Sequence, residues 1–335
     1  IVWINGSNIE MIENKVVLVT GGAGFIGSNL CEALLANNNI VRCLDNFVTG
    51  KARNIKELMT NPNFTLIEGD IRSLEECYNA TKEVDFIFHQ AALGSVPRSI
   101  SDPITTNDVN VSGFLNMLIA ARDSKVKRFV YAASSSTYGD SKSLPKAEDT
   151  IGKPLSPYAV TKYVNELYAN VFHTTYGLDT IGLRYFNVFG RRQDPDSFYA
   201  AVIPKFIMQL MRHEAPLVNG DGEYSRDFTY IDDVIQMNLL AVSTDDKVSL
   251  NTVYNVAYGE KTTLNQVAAY LKEYLGKYDD EINKISVKYG LPRAGDISHS
   301  LASIDKAKQN LGYIPKYSLQ EGLKIVVEWY WKNLS

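Results

Sequence analysis

The chain has 335 residues, of which 34 are Lys or Arg and 38 are Asp or Glu, so its formal net charge is −4. Hydrophobic residues make up 45% and charged residues 21%, as in an ordinary globular enzyme, and no block of basic residues supports nucleic-acid binding. The longest apolar runs, such as residues 12–19, are too short and too charged to span a bilayer.

The cysteines and the N-terminal residues bear on the cellular compartment. Cys31, Cys43 and Cys77 are widely spaced and lack the spacing of metal ligands, so they predict buried free thiols in a reducing compartment and no metal site. The first residues lack a charged segment followed by an apolar core, so we expect no secretory signal and a cytoplasmic location. Met11 resembles a natural start, and residues 1–10 are left out of the fold prediction.

The first half of the chain alternates short β-rich runs with helical stretches. The β-branched run over residues 15–20 predicts a buried strand, and a helix is predicted over residues 25–37. Further strands are predicted at residues 40–44, 64–67, 86–88, 129–132 and 180–183, with helices between them. This alternation predicts an α/β fold with a parallel, doubly wound sheet.

A glycine-rich turn joins the first predicted strand to the first helix. Gly21, Gly24 and Gly27 let the turn tighten and let the backbone approach a pyrophosphate at the helix N-terminus. Asp45 follows 18 residues after Gly27, where a carboxylate would accept hydrogen bonds from a ribose diol and repel a 2′-phosphate. The spacing therefore favours NAD over NADP, and the alternative is that Asp45 is a plain turn residue.

The third predicted strand is also followed by a carboxylate. Asp70 is expected either to contact an adenine or to cap the next helix through its side chain.

The pattern changes at about Asn187, where proline, glycine and aromatic residues become frequent. Helices are predicted at residues 200–212, 231–242, 265–275 and 319–332, with short extended pieces such as residues 253–256 between them. The sequence thus predicts two domains, 11–186 and 187–335, with a cleft between them and some chain crossing back from one to the other.

Tyr158 and Lys162 are four residues apart, which places them on one face of a helix. A free Tyr titrates near a pKa of about 10, too high for a base at neutral pH. A neighbouring ammonium stabilises the phenolate, and an oxidised nicotinamide would add to that stabilisation. The pair therefore predicts proton transfer beside a hydride carrier.

Five motifs occur together in chain order: the glycine turn, His89–Ala92, Ser134–Gly139, Tyr158 with Lys162, and Leu183–Gly190. Jointly they resemble the extended short-chain dehydrogenase/reductases, and among these the nucleotide-sugar 4-epimerases. The resemblance covers residues 15 to 332 and implies a Rossmann-like sheet, a smaller C-terminal mixed α/β substrate domain, bound NAD and a UDP-sugar substrate. Residues 93–99 and 191–195 resemble a narrower group, the bacterial UDP-N-acetylhexosamine 4-epimerases of surface polysaccharide synthesis, which are commonly homodimers.

The resemblance also implies roles for individual residues. Tyr158 would take the O4 proton while hydride passes to the nicotinamide, Lys162 would hold the phenolate, and Ser134 would bond O4. Dehydratases and decarboxylases of this fold carry a carboxylate at position 135 or 136, whereas this chain has Ser135 and Ser136. The implied cofactor contacts are Gly21, Gly24, Phe25, Ile26, Gly27, Asp45, Asn46, Asp70, Ile71, Ala91, Ala92, Asn110, Tyr158, Lys162 and Tyr185.

On the substrate side, the resemblance implies that Asn187, Arg226 and Arg293 contact the diphosphate and that Asp296 contacts the uridine ribose. Ser300 stands where a bulky aromatic residue limits some epimerases to non-acetylated sugars, so a small residue leaves room for a 2-acetamido group. The implied polar partners of the sugar are Ser134, Ser135, Ser136, Tyr158 and Gln193.

Other readings of these residues stay open. The serines could form an ordinary turn, the arginines could make ordinary surface ion pairs, and Ser300 could be small by chance. The narrower group would have a basic residue where this chain has Ser298, and UDP-N-acetylhexosaminuronic acids stay open as substrates. We expect His89 to be packed at the end of its strand, and we assign no catalytic role to it or to His299.

Two alternative functions are compatible with parts of the sequence. A UDP-sugar dehydratase or decarboxylase would need a carboxylate supplied from elsewhere in the chain. A dinucleotide-sensing protein with a decayed site is disfavoured because Ser134, Tyr158 and Lys162 are all present. The apolar faces of helices near residues 102–123 and 158–175 either pair across a dimer axis, as in the family, or cover the sheet.

Overall fold

A seven-stranded parallel sheet forms the centre of the molecule. The computed structural model describes residues 11–197, 200–291 and 299–334. The sheet has the strand order β11-β6-β5-β4-β1-β2-β3, with every neighbouring pair parallel. Its strands are Val16–Thr20 (β1), Ile40–Asp45 (β2), Phe64–Glu68 (β3), Phe86–His89 (β4), Arg128–Ser134 (β5), Thr180–Tyr185 (β6) and Thr252–Val256 (β11).

Three two-stranded sheets lie outside the central one. They pair β7 with β10 and β8 with β13 in parallel, and β9 with β12 in antiparallel orientation. These strands are Val188–Phe189 (β7), Leu217–Asn219 (β8), Ser225–Arg226 (β9), Thr229–Tyr230 (β10), Thr262–Thr263 (β12) and Lys288–Gly290 (β13).

Helices cover both faces of the central sheet. They are Phe25–Ala36 (α1), Ala52–Ile55 (α2), Leu74–Thr81 (α3), Val96–Ser101 (α4), Pro103–Asn107 (α5), Gly113–Asp123 (α6), Pro157–Tyr176 (α7), Val202–Met211 (α8), Ile231–Ser243 (α9), Leu264–Leu275 (α10), Asp305–Leu311 (α11) and Leu319–Leu334 (α12), with a π-helical stretch at Asp108–Ser112. One buried cluster joins α1 and α9 and continues into α8, α10 and α12. A second cluster packs α3, α6 and α7 against the other face. Among the described residues, no helix is both long and apolar enough to cross a bilayer.

The strand order reverses beside β1, which lies between β2 and β4. In open α/β sheets, ligands bind at such a point, outside the carboxyl ends of the strands. The glycine turn after β1 and the segment after β4 meet there, since a Cβ at Gly21 would lie 2.7 Å from Ala91 N.

The predicted α/β class with a parallel doubly wound sheet is confirmed. One element differs from expectation: residues 253–256, assigned to the smaller domain, belong to β11, which pairs with β6 at the edge of the central sheet. Helix α9 also packs against this sheet, through β5 and β6. The boundary between domains 11–186 and 187–335 stays a prediction.

Candidate active site and cofactor groove

The glycine turn is the floor of a groove. Gly21 has a φ of +66°, a conformation that L side chains rarely adopt. A Cβ at Gly27 would lie 2.1 Å from Gly21 O, so a larger residue would force the turn apart. Gly24 is the N-cap of α1 and has no side chain, so the first N–H groups of the helix stay available to an anion.

A cavity of about 410 Å³ runs from Asp45 and Asp70 to the catalytic candidates. All the predicted cofactor residues except Asn110 line it. No role was predicted for the other residues that line it: Leu44, Val48, Thr49, Gly69, Arg72, Gln90, Leu93, Gly94, Thr105, Val109, Ala132 and Ala133. Gln90, Leu93 and Gly94 belong to motifs that carry the resemblance, whereas the rest belong to none.

Asp45 and Asp70 stand at the same end of this cavity. Asp45 is buried and accepts hydrogen bonds from Ala23 N at 2.9 Å and Phe47 N at 2.8 Å. Burial raises the pKa of the Asp45 carboxyl. The two bonds fix its carboxylate at the carboxyl end of β2, with further lone pairs able to accept from a diol.

Asp70 forms hydrogen bonds with Asn46 at 2.9 Å and with Arg72 Nη2 at 2.6 Å. The hydrogen bond from Arg72 is the largest cause that lowers the pKa of Asp70 to about 2. Ser73, rather than Asp70, caps the next helix by accepting from Glu76 N, so the capping alternative is wrong.

Asn110 lies behind the wall of the cavity. Its side chain is buried, accepts from Leu93 N at 2.8 Å, and donates to Leu93 O at 3.2 Å and to Thr161 Oγ1 at 3.1 Å. The structure therefore gives Asn110 the position of a brace between α7 and the wall residue Leu93.

The catalytic candidates meet at the other end of the cavity. Ser134 ends β5, and Tyr158 and Lys162 stand one turn apart near the start of α7, whose N-cap is Ser156. Lys162 is buried and donates to Ala132 O at 2.9 Å. Burial lowers the pKa of its ammonium to about 8, so the side chain stays largely protonated at neutral pH.

The phenol of Tyr158 is buried in the protein. Burial raises its pKa, and a hydrogen bond with Ser134 lowers it only in part. Without the cofactor, the burial of the phenol therefore outweighs this hydrogen bond, and the predicted stabilisation of the phenolate by Lys162 together with an oxidised nicotinamide stays a prediction. A phenolate at neutral pH requires further positive charge in the cavity.

Tyr185 is fixed from two sides. Its hydroxyl bonds with Gln90 Oε1 at 3.2 Å and with Asn238 Nδ2 at 3.0 Å. No role was predicted for Gln90, which lies in the His89–Ala92 motif, or for Asn238. His89 is packed as expected: a 2.9 Å bond joins it to Thr20, and burial is the main cause that lowers its pKa to about 3, so it is neutral.

The structure shows contacts among some of the predicted substrate residues. Ser136 donates to Ser134 Oγ at 2.8 Å, which places both in one serine turn with Ser135. Asn187 Nδ2 donates to Asp227 O at 2.9 Å, and Ser300 N donates to Ser225 O at 3.0 Å. Arg226 lies on β9 beside them. Arg293 and Asp296 lie outside the described residues.

Gln193 lines a second cavity of about 790 Å³. The residues that this cavity shares with the first are Gly24, Phe25, Val48, Thr49 and Gly94. The Nε2 of Gln193 donates to Val188 O at 3.2 Å. Its Oε1 is buried and has no hydrogen-bond partner among the described residues.

The two arginines before Gln193 are committed to carboxylates. Arg191 pairs with Glu32 at 2.9 Å and with Asp232 at 2.8 Å, and Arg192 pairs with Glu32 at 3.0 Å. These contacts attach the loop that follows β7 to helix α1. The ion pairs explain a motif that the sequence left without a structural role.

A nucleotide groove at the reversal of a doubly wound sheet, with a Tyr–Lys pair at one end, defines a dinucleotide-dependent enzyme. The model of the NAD-dependent epimerase/dehydratase family matches residues 17–257. The chain belongs to this family.

Three relatives illustrate its range. A putative UDP-glucose 4-epimerase of Methanocaldococcus jannaschii is 37% identical over 95% of this chain and 99% of its own length. The structure of UDP-N-acetylglucosamine 4-epimerase from Methanobrevibacter ruminantium M1, in complex with UDP-N-acetylmuramic acid, is 39% identical with a TM-score of 0.89 and covers 96% of this chain and 100% of the other. That of UDP-glucuronic acid 4-epimerase from Bacillus cereus, with UDP-glucuronic acid and NAD, is 32% identical with a TM-score of 0.87 and covers 95% and 99%.

NAD is the cofactor, and the groove fits it. The glycine floor admits a pyrophosphate against the backbone, and the Asp45 carboxylate suits a ribose diol while opposing a 2′-phosphate. The groove ends at Tyr158, Lys162 and Tyr185, the predicted proton-transfer residues and their neighbour.

Proposed function

We propose that this protein is a UDP-sugar 4-epimerase that interconverts UDP-N-acetylglucosamine and UDP-N-acetylgalactosamine through a transient 4-keto sugar. The observation that carries the proposal is the meeting of Ser134, Tyr158 and Lys162 at the nicotinamide end of the groove. Such an enzyme needs one proton acceptor, one hydride acceptor and room for the ketone to present its other face.

The side chains would share the proton chemistry. Tyr158 takes the O4 proton as C4 is oxidised and returns it on reduction, while Ser134 bonds O4 and orients it. Bound NAD supplies the hydride acceptor and, in its oxidised form, a positive charge that offsets the burial of the phenolate. Lys162 adds a second positive charge and is held in place by Ala132 O.

The position of the acids supports an epimerase over a dehydratase. Among the described residues that line the first cavity, the carboxylates are Asp45 and Asp70, both at the end away from Tyr158. A hydroxyl, from Ser136, lies against Ser134 instead. Elimination of water needs an additional acid and base near C5 and C6, and this end of the cavity supplies none from the described residues.

Two features favour an acetylated neutral sugar. Ser300 is small, and Gln193 lines the second cavity as a polar partner for a 2-acetamido group. On the wall of the second cavity, Arg192 pairs with Glu32, whereas Lys51 and Arg53 share the single carboxylate of Asp194, which leaves one positive charge over. The alternative, a 4-epimerase of UDP-N-acetylhexosaminuronic acids, therefore stays open, and the substrate panel decides between the two.

Incubation with a panel of UDP-sugars tests the proposal, with products identified by NMR and no NAD added. The panel contains acetylated, non-acetylated and uronic sugars. We expect equilibration of the two UDP-N-acetylhexosamines as the fastest reaction. Net NADH accumulation, a 4-keto-6-deoxy product or loss of CO₂ would refute it. The cytoplasmic location and the role in polysaccharide synthesis stay predictions.

We also propose that two copies pair through α5 and α7, which lie within the helical regions expected from the family, and through the neighbouring α4. The exposed apolar side chains Ile100, Ile104, Val160, Leu167 and Val171 lie on these three helices, and Ile104 is 74% exposed. A single chain leaves these side chains in water, so the alternative that they only cover the sheet does not explain them.

Light scattering tests the pairing. The double variant Ile104→Lys/Leu167→Lys should be monomeric where the wild type is dimeric, while Ile325→Lys, a matched change of an exposed residue on α12, should leave the dimer intact. A monomeric wild type would refute the pairing.

A further inference from the structure

Two buried polar residues of the central sheet lie one register position before Ser134 and Tyr185. Arg184 on β6 is the register partner of Ala133 on β5 and of Asn255 on β11. At the next register position, Ser134 of β5 pairs with Tyr185 of β6. Arg184 and Asn255 are 3% and 0% exposed, so each must find its partners inside the protein.

Arg184 is bound to the catalytic helix. Its Nε donates to Glu166 Oε1 at 2.9 Å and its Nη2 donates to Oε2 at 2.7 Å, a bidentate ion pair. Glu166 lies one turn beyond Lys162 on α7. The guanidinium also lies 4.9 Å from the ring centre of Tyr138, which follows the serine turn, and the resulting cation–π contact fixes that ring.

Asn255 is bound to the segment that carries Ser300. Its Oδ1 accepts from the Tyr138 hydroxyl at 2.6 Å. Its Nδ2 donates to Lys146 O and to Ser303 O, each at 2.9 Å. Lys146 in turn donates from its backbone to Leu301 O at 2.7 Å. Residues 301–303 are thus held to the sheet through the side chain of Asn255 and the backbone of Lys146.

Ser225 and Asp227 fix the same segment from the other side. Ser300 N donates to Ser225 O, and Ala302 N donates to Asp227 Oδ2 at 3.1 Å. Asp227 O also receives the side chain of Asn187, a predicted diphosphate contact. The substrate residues therefore share one hydrogen-bonded frame, and Asn255 connects this frame to Tyr138.

We propose that Glu166, Arg184, Tyr138 and Asn255 form a positioning network that holds helix α7, with Tyr158 and Lys162, at a set distance from residues 299–303. This inference rests on the proposed function, because the segment matters for catalysis only if it contacts the sugar nucleotide. None of the four residues lines either cavity described above, so they act through the residues that they hold.

The variant Tyr138→Phe tests the network with the smallest change. It keeps the ring over Arg184 and removes only the hydroxyl, so Asn255 Oδ1 is left buried without that donor. Tyr254→Phe is the matched control: Tyr254 is also fully buried, precedes Asn255 on β11, and loses a 2.9 Å bond to Ser249 O. The NAD-bound protein is compared by steady-state kinetics on the UDP-sugar and by hydrogen exchange of backbone amides.

We expect Tyr138→Phe to raise KM about threefold to tenfold, with kcat changed less than about twofold, and to speed exchange in residues 299–303. Tyr254→Phe should change neither KM nor the exchange of residues 299–303, even if both variants have a lower melting temperature than the wild type. Equal effects of the two variants on KM and exchange, or faster exchange with an unchanged KM, would reduce the network to a structural role and overturn the proposal.

The two readouts also separate this inference from the proposed function. If the wild type acts on no UDP-sugar, the proposed function fails, whereas faster exchange of residues 299–303 in Tyr138→Phe alone would still support the physical link. If the wild type is active and Tyr138→Phe matches it in both KM and exchange, the network fails and the proposed function stands.

Discussion

At the scale of single residues, the reaction depends on a buried phenol whose own surroundings raise its pKa. Tyr158→Phe keeps the ring and removes the proton acceptor. General acid–base catalysis contributes about 10²- to 10⁴-fold, so we expect kcat to fall by roughly that factor while NAD stays bound, because the rest of the groove is intact. The measurement is the rate of UDP-sugar interconversion alongside the NAD content of the purified protein.

Tyr168→Phe is the control for Tyr158→Phe. Tyr168 lies on the same helix, but it packs against the second buried cluster, which joins α3, α6 and α7. An activity of Tyr158→Phe within about tenfold of the wild type would show that another group accepts the proton.

Sugar selectivity is predicted to depend on the size of residue 300. Ser300→Tyr places an aromatic ring on a segment that Ser225 O holds in place. The ring should occupy the space of a 2-acetamido group, so we expect kcat/KM for the acetylated sugars to fall about 100-fold and that for UDP-glucose to change less than about threefold. Ser300→Ala, which stays small, should retain acetylated activity. Equal losses for both sugar classes would refute the steric role.

The sequence predicts those site residues whose roles are local. The glycine turn and the Tyr158–Lys162 spacing are set by a few consecutive residues, and the structure places both on one groove. The raised pKa of Tyr158 was not predictable, because it comes from burial by distant parts of the chain. The contacts of Asn110 reach Thr161, 51 residues away, and nothing in the local sequence indicates them.

At the scale of elements, helix α7 has clear local signals at both ends. Ser156 accepts from Ala159 N, Pro157 occupies the first turn, and Gly177 ends the helix in the left-handed conformation. No local sequence signal indicates which sheet strand β11 joins. Its apolar pattern predicts a strand, but only the pairing with β6, about 70 residues earlier, assigns it to the central sheet.

The ion pair between α7 and β6 is predicted to be costly to break. Glu166→Ala leaves the Arg184 guanidinium buried without its carboxylate, which typically costs about 3–5 kcal/mol. Glu328→Ala breaks the exposed pair with Lys332 on α12 and should cost about 0–1 kcal/mol. Urea denaturation of the two variants measures the difference. A loss for Glu166→Ala no larger than that for Glu328→Ala would show that Arg184 finds another partner or reaches water.

At the scale of the whole molecule, one buried cluster joins the sheet helices α1 and α9 to α8, α10 and α12 of the second half. Glu32 and Asp194 add ion pairs between the cofactor side and the loop after β7. The walls of the groove are therefore supported by a continuous core, and this continuity keeps the cofactor and substrate residues at fixed distances.

The continuous core also buries two carboxyls, which predicts an unusual pH dependence of stability. Burial raises the pKa of Asp227 to about 7 and that of Asp233 to about 6, against about 3.9 in an unfolded chain. A folded-state pKa above the unfolded value means that the stabilising contribution is fully present below about pH 4 and is lost as the pH rises through about 7.

Buried His89 opposes this trend below about pH 6.5, because its pKa of about 3 lies below about 6.5 in an unfolded chain. Since two carboxyls act against one imidazole, we expect the melting temperature to fall overall between pH 5 and about pH 7.5, where many proteins are most stable. Asp233→Asn should flatten the part of this slope below about pH 6, whatever it does to the absolute melting temperature, because the amide does not titrate. Glu273→Gln, a change of an exposed carboxylate on α10, should leave the slope as in the wild type. A melting temperature that is level or rising over this range in the wild type would show that both carboxylates are ionised in the folded protein, stabilised by the backbone N–H groups that they accept from.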